Sequence, residues 1–305
     1  MISAEKATGF PVSVACALLG VSRSAYYEWE RGAPSDRELT DAWLLERIKA
    51  IHAAHRGVYG WRRIHAELRM AHGARVSGKR VKRLMRQAAI SGLVRTKRGR
   101  TTIRVPGVRV ADDLVERQFR PAAPNVLWLA DITYLRTWEG WVYLAAVQDA
   151  YSRRIVGWSM ADHMRAELVV DALQMAVARR RPAPGLIHHS DQGSQYVSLG
   201  FGQKARDAGI AVSMGSKGDC YDNAVAESFF ATLKKELVHR RSWPTRRELI
   251  SEVFEYIEAF YNRQRRHSTL GYLTPEEFEN RTLSHYGPEG AASRLFTEID
   301  QIEKS

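Results

Sequence analysis

The chain has 305 residues, 45% of them hydrophobic, which excludes a disordered tail and gives enough length for two or three domains with sizeable cores. Its formal net charge of +12 points to a polyanionic partner, nucleic acid first. Two distant cysteines, Cys16 and Cys220, form neither a disulfide framework nor a zinc-finger spacing, and neither a ~20-residue apolar run nor a signal-peptide pattern is visible. The expectation is a soluble cytoplasmic protein with no membrane partner.

The charge is placed unevenly. Residues 1–110 hold 22 Lys and Arg against 8 Asp and Glu, a net of +14, while the remainder is close to neutral. Residues 12–29 read as two short helices around a turn. Val14, Ala17, Leu18 and Val21 form an expected apolar stripe, Gly20 marks the turn and Ser22 is the expected cap. Arg23, Ser24 and Tyr27 lie on the second helix. This is a helix-turn-helix layout, and on spacing alone an ordinary helical hairpin fits as well. Residues 58–94 repeat the idea. Ile64 and Leu68 mark the inner face of a first helix that also carries Arg62 and Arg63. Ser77 caps a second helix, with Val81, Leu84 and Met85 inside and Lys79, Arg80, Lys82, Arg83 and Arg86 outside. From Arg75 to Arg109 there are 12 basic residues and no acid. A merely solvated face would mix its signs, so phosphate contact is the favoured reading. Residues 96–124 lack periodicity and read as a linker.

Beyond this the pattern changes. Segments 126–135, 141–148 and 155–160 predict three strands joined by hairpins. A helix follows over 165–179, a strand over 185–189, a helix over 199–208, a strand over 210–214, a helix over 223–237 with Asp222 at its N-cap, and a further helix over 246–262. The order βββαβαβα makes this an α/β mixed sheet with helices on its faces. The expected domains are 1–50, a helix-turn-helix-like region; 51–110, a second basic region and linker; 120–283, the α/β core with C-terminal helices; and 284–305, a tail.

Three acids stand at informative places. Asp131 interrupts an apolar strand, where a carboxylate without a partner is costly. Alone, it reads equally well as a structural Asp bonded to an amide or an arginine. Asp191 follows the fourth strand at its C-terminal end, the edge where open α/β sheets bind ligands, though Asp also opens many turns. Glu227 lies on the helix after the fifth strand and has Ala231 at the i+4 position, so it lacks the usual surface pair. Lys234 is two turns further along nearly the same face. Carboxylates converging from separate elements are what phosphodiester chemistry with two Mg²⁺ ions needs, because Mg²⁺ prefers oxygen over imidazole and thiol. His188, His189 and Cys220 are therefore left out of the metal shell.

The text around these acids is more specific than their spacing. The segments WLADITYL (128–135), DAYSRRIVGW (149–158), HSDQGSQY (189–196), SKGDCYDNAVAESFFATLKKE (216–236) and YNRQRRHSTLGYLTP (261–275), with YGWRRI (59–64) and KRVKRLM (79–85), resemble the second-frame product, OrfB, of the insertion-sequence-three family of bacterial transposases. The spacing of Asp131, Asp191 and Glu227 matches the DDE pattern of the retroviral-integrase superfamily. The resemblance implies an RNase H-like catalytic core and Mg²⁺, with Mn²⁺ able to substitute. It also implies DNA strand cleavage and transfer at the ends of a mobile element. Asp131, Asp191 and Glu227 are then the catalytic metal ligands and Lys234 contacts DNA beside them. Further DNA contacts are expected at Arg23, Arg62, Arg63, Lys79, Arg80, Lys82, Arg83 and Arg86. Double-stranded DNA, a DNA-dependent homo-oligomer of at least two copies, and the upstream-frame product OrfA, separate or fused, are the implied partners. The protein would be nucleoid-associated when on DNA. A non-catalytic regulator explains residues 1–110 but leaves the acids without a role. A nuclease for RNA–DNA hybrids shares the chemistry but needs no basic modules, and a decayed copy would not be expected to keep its acids.

Overall fold

The computed structural model describes residues 11–32, 34–93, 115, 121–191, 193–215 and 224–282. Most of the expected linker, Cys220, Asp222 and the 284–305 tail lie outside them.

The N-terminal part is all helical: α1 (Val12–Leu18), α2 (Arg23–Arg31), α3 (Asp36–Ala54), α4 (Trp61–Met70) and α5 (Gly78–Gln87). The Ser22 and Ser77 hydroxyls cap α2 and α5 as expected, accepting from the Ala25 and Arg80 amides at 3.1 and 3.3 Å. Gly20 turns the chain with φ +64°. The expected stripe on α1 is not the buried one. Val14, Ala17, Leu18 and Val21 are exposed, and the buried residues of α1 and α2 are Ala15, Cys16 and Tyr26 instead. Two short helices packed mainly on each other bury only the side chains in their crossing, whatever the wider apolar pattern. Helix α3 is not among the expected elements. It starts at a full capping box, Ser35 with Glu38, and runs through position 50, the expected domain boundary. Its Leu44, Ile48 and Ile51 pack with Val58, Ile64, Leu68, Val81, Leu84 and Met85.

The α/β part follows the predicted order. Strands β1 (Leu127–Thr137), β2 (Gly140–Asp149) and β3 (Ile155–Ala161) form an antiparallel meander. They are followed by α6 (Ala166–Arg180), β4 (Ile187–Ser190), α7 (Leu199–Asp207), β5 (Ala211–Met214) and α8 (Ala224–Glu236). The sheet order is β3-β2-β1-β4-β5, with β1, β4 and β5 mutually parallel. This is a mixed sheet with helices on both faces, an RNase H-like arrangement. Alternation along the strands separates the two layers. Ala145 and Val147 face α6 and α7 with Trp128, Ala130 and Leu173. Val142, Leu144, Ala146 and Leu135 face α8 and α9 (Arg246–Glu255) with Phe229, Leu233 and Val253. The predicted 246–262 helix changes its winding after Glu255 to a π turn, Tyr256–Tyr261, which buries Tyr256, Ile257, Phe260 and Tyr261. The second apolar layer is continuous with the α3–α5 core, so the basic helices and the sheet share one hydrophobic cluster.

Candidate active site

Strand pairing decides where the first two acids meet. In the parallel β1–β4 ladder Ala130 stands opposite Ser190, so the next residues, Asp131 and Asp191, emerge side by side. β4 ends at Ser190, whereas β1 runs seven residues past Ala130 to Thr137 beside β2 alone. Asp131 Oδ1 accepts from the Ile132 amide at 2.8 Å and Asp191 Oδ1 from the Gly193 amide at 3.1 Å. Local amides thus begin to satisfy each carboxylate without neutralising it. Tyr196 registers both charges. Among the described residues its buried hydroxyl has no hydrogen-bond partner, and its pKa is pushed well up by burial and by the fields of Asp131 and Asp191.

Helix α8 packs against β1 and presents Glu227, solvent-exposed, in its first turn. Two turns on, Lys234 lays its ammonium over the Tyr134 ring at 5.1 Å. Partial burial lowers the Lys234 pKa while the Asp131 charge opposes that shift. One helix thus brings an acid and a cation to the end of the strand that carries Asp131. Arg153, on the β2–β3 turn, donates to Ser228 Oγ at 3.5 Å, beside Glu227. All the donors are hard carboxylate oxygens, and they lie on three separate elements, which suits a divalent cation such as Mg²⁺. The structure adjoins Asp131 and Asp191 but does not draw Glu227 in with them. Among the described residues no three His, Cys, Asp or Glu side chains form a closed ligand set.

The histidines are interior. His188 is fully buried against Phe201 and Tyr196, and burial pushes its pKa down to about 4. His189 Nδ1 is 2.9 Å from Ser213 Oγ on β5.

Two family descriptions match the chain, one of them twice. "Integrase core domain" covers residues 121–220 and, in a second form, 227–283; "HTH-like domain" covers 38–98. A 31 kDa protein of insertion element IS600 from Shigella sonnei is 44% identical over 87% of this chain and 97% of its own length. The transposase InsF of insertion sequence IS3A from Escherichia coli is 40% identical over 90% of this chain and 96% of its own. The chain belongs to the IS3-family transposases. The transposase of IS629 from Shigella sonnei is also similar, 38% identical over 93% of this chain and 96% of its own. Among solved structures, the magnesium-bound HTLV-2 integrase catalytic core matches 52% of this chain and 97% of that chain, at 17% identity and a TM-score of 0.40.

The basic residues of this transposase fall into three groups. Arg23, Lys79, Lys82 and Arg86 are exposed, as is Arg62, whose guanidinium rests over Trp61 at 5.3 Å. Arg80 and Arg83 are half-buried and both bind Asp41 of α3, at 2.7 and 2.6 Å. Arg63 turns toward Glu236 at the end of α8, 3.6 Å away. Within the acid-free run from Arg75 to Arg109, Arg80 and Arg83 are thus met by an acid from another element. A third group shows only in three dimensions. The YNRQRRH segment is largely interior, with Arg263 and Gln264 left exposed: Asn262 bonds both ways to the Ile155 backbone at 2.9 and 3.0 Å, and Arg265 grips Glu236 at 2.7 and 2.8 Å. The signal available in the sequence was Tyr261 and His267 flanking the arginines, a composition that suits an interior better than a phosphate-binding surface.

Proposed function

We propose that this IS3-family transposase cuts DNA at element ends and joins it to target DNA by metal-assisted phosphoryl transfer, with Asp131, Asp191 and Glu227 as the ligands. The observation that carries this reading is the β1–β4 register, which sets two carboxylates side by side at the end of a parallel pair with the Glu227 helix packed alongside. When bound, Mg²⁺ or Mn²⁺, two ions in all, supplies nucleophile activation and charge stabilisation at the leaving oxygen. The chain's own residues do the rest. Asp131 Oδ1 and Asp191 Oδ1 each accept from a backbone amide, which orients the two carboxylates at the strand ends. Lys234, fixed over Tyr134, offers a positive charge to a phosphate lying next to Asp131. Arg23, Arg62, Lys79, Lys82 and Arg86 supply exposed cations for the duplex backbone. Joining two element ends requires at least two bound copies, so the working form is a DNA-dependent oligomer. The upstream-frame product, separate or fused, is the further partner of this reading.

The test is cleavage and strand transfer on labelled element-end DNA with Mg²⁺, Mn²⁺ or EDTA. Wild type is expected to give metal-dependent 3′ products. Glu227→Gln and Asp191→Asn are expected to lose them while still binding DNA. Equal product from either variant would remove the site assignment, and tight binding with no product in any metal would favour a regulator.

A further inference from the structure

Arg63 does not sit as a phosphate contact would. It lies on α4 of the basic module, next to the exposed Arg62, yet its side chain is 25% exposed and stacks over Tyr59 at 5.6 Å. It faces Glu236, the last residue of the helix that carries Glu227 and Lys234. Glu236 is buried, and its oxygens already take two bonds from Arg265 and one from Tyr256 Oη at 2.9 Å. Satisfying that carboxylate does not call for Arg63. A second guanidinium there is opposed by burial and by the Arg265 charge, the two strongest influences lowering the Arg63 pKa. Solvent, or a phosphate, would cost that side chain less.

The contacts around it run from one module to the other. Tyr59 Oη donates to the Gln264 carbonyl at 3.0 Å and accepts from the Arg266 amide at 2.8 Å. Arg266 pairs with Glu67, also on α4. Arg56, just after α3, pairs with Glu255 at 2.7 Å and lies over Phe260 at 5.4 Å. Among these contacts, the Arg63–Glu236 pair is the one that reaches α8 itself.

We infer that Arg63 is a positioning residue: through Glu236 it ties helix α4 of the basic module to the end of the helix bearing Glu227 and Lys234, so that DNA held by the one is set against the carboxylates of the other. The inference rests on the active-site reading given above. Arg63→Met keeps the aliphatic stem over Tyr59 and leaves the Arg265 and Tyr256 bonds to Glu236 in place. With the full chain and element-end DNA at saturation, the single-turnover cleavage rate is expected to fall by roughly tenfold, the size of a coupling of this kind. DNA affinity and its salt slope are expected to stay as in wild type, and Arg63→Lys to restore most of the rate. Independently of activity, amide exchange within α8 in the DNA-bound protein is expected to speed up in Arg63→Met and to recover in Arg63→Lys. An unchanged saturated rate with a salt slope lower by about 1 would make Arg63 a phosphate contact and overturn the inference. Unchanged rate and exchange would overturn it as well. If Arg63→Met does not fold, Arg63→Gln carries the same comparison. A wild type without any metal-dependent product would count against the active-site reading alone, because α8 exchange still reports on the tie.

Discussion

Side chains of one chemical type take opposite roles here according to what faces them. Lys82 and Arg83 are neighbours on α5, yet Lys82 is open to solvent while Arg83 and Arg80 share Asp41. An arginine already paired to a carboxylate is poorly placed to release counterions from DNA. Lys82→Ala is therefore expected to lower the slope of log affinity against log salt by about 1, and Arg83→Ala to lower it by clearly less while costing thermal stability through Asp41. Equal slope losses in a salt titration would show that the Asp41 pair opens on DNA. Lys234 is the reverse case, a cation kept partly buried by an aromatic face and an acid, which suits a fixed electrostatic role beside Asp131 better than a mobile contact.

Elements meet at distances that single residues set. Strand β3 and helix α6 approach at Gly157, where an added Cβ would come within 2.2 Å of the Ala172 carbonyl oxygen and 2.7 Å of the Ala176 nitrogen. Both obstacles are backbone, so they cannot rotate away. Gly157→Ala is expected to destabilise the fold by about 1–3 kcal/mol or more, read as the shift in a denaturant midpoint. Gly200, on α7, has open space around it, so Gly200→Ala serves as a near-neutral control. A Gly157→Ala midpoint equal to the control's would mean that the layer spacing relaxes without cost. At the other face, the two-way bond between Asn262 and the Ile155 backbone pins the π turn to the start of β3, which fixes the layer that α8 also joins.

The molecule is held together by buried ion clusters as well as by its shared apolar layer. Glu236 is gripped by Arg265 and Tyr256. Glu279 accepts from Ser152 at 2.7 Å and from Arg154 and Arg180 at 2.9 Å. Burial raises both acids' pKa values, but their arginine partners outweigh it and hold both below the ordinary 4.5. In each case the unfolded chain binds protons more tightly than the folded one. The stabilisation is therefore fully present above pH 4.5 and is lost as pH falls through the depressed folded values. Wild-type stability should drop on acidification below that point. Glu236→Gln should start lower, by about 3–5 kcal/mol, because Arg265 loses its charged partner, and should show a shallower acid loss. Parallel acid curves for the two proteins would place the pH sensitivity elsewhere.

The sequence by itself determined the order of strands and helices, the caps at Ser22 and Ser77, and the positions of the three acids. Those features depend on residues within a few positions of each other, and alternation or a 3.6-residue period reports them directly. It left α3 unread although Ser35 and Glu38 signal its start, and it put the buried stripe of α1 on Val14, Leu18 and Val21, since periodicity names an apolar face but not the surface that covers it. Only the tertiary structure decided which acids adjoin, because that follows from the β1–β4 register between residues about sixty positions apart. It also decided which basic residues stay exposed: Asp41 claims Arg80 and Arg83, and Glu236 faces Arg63. Net charge along the chain is a local sum, whereas the availability of a cation to DNA depends on the acid that folding sets beside it.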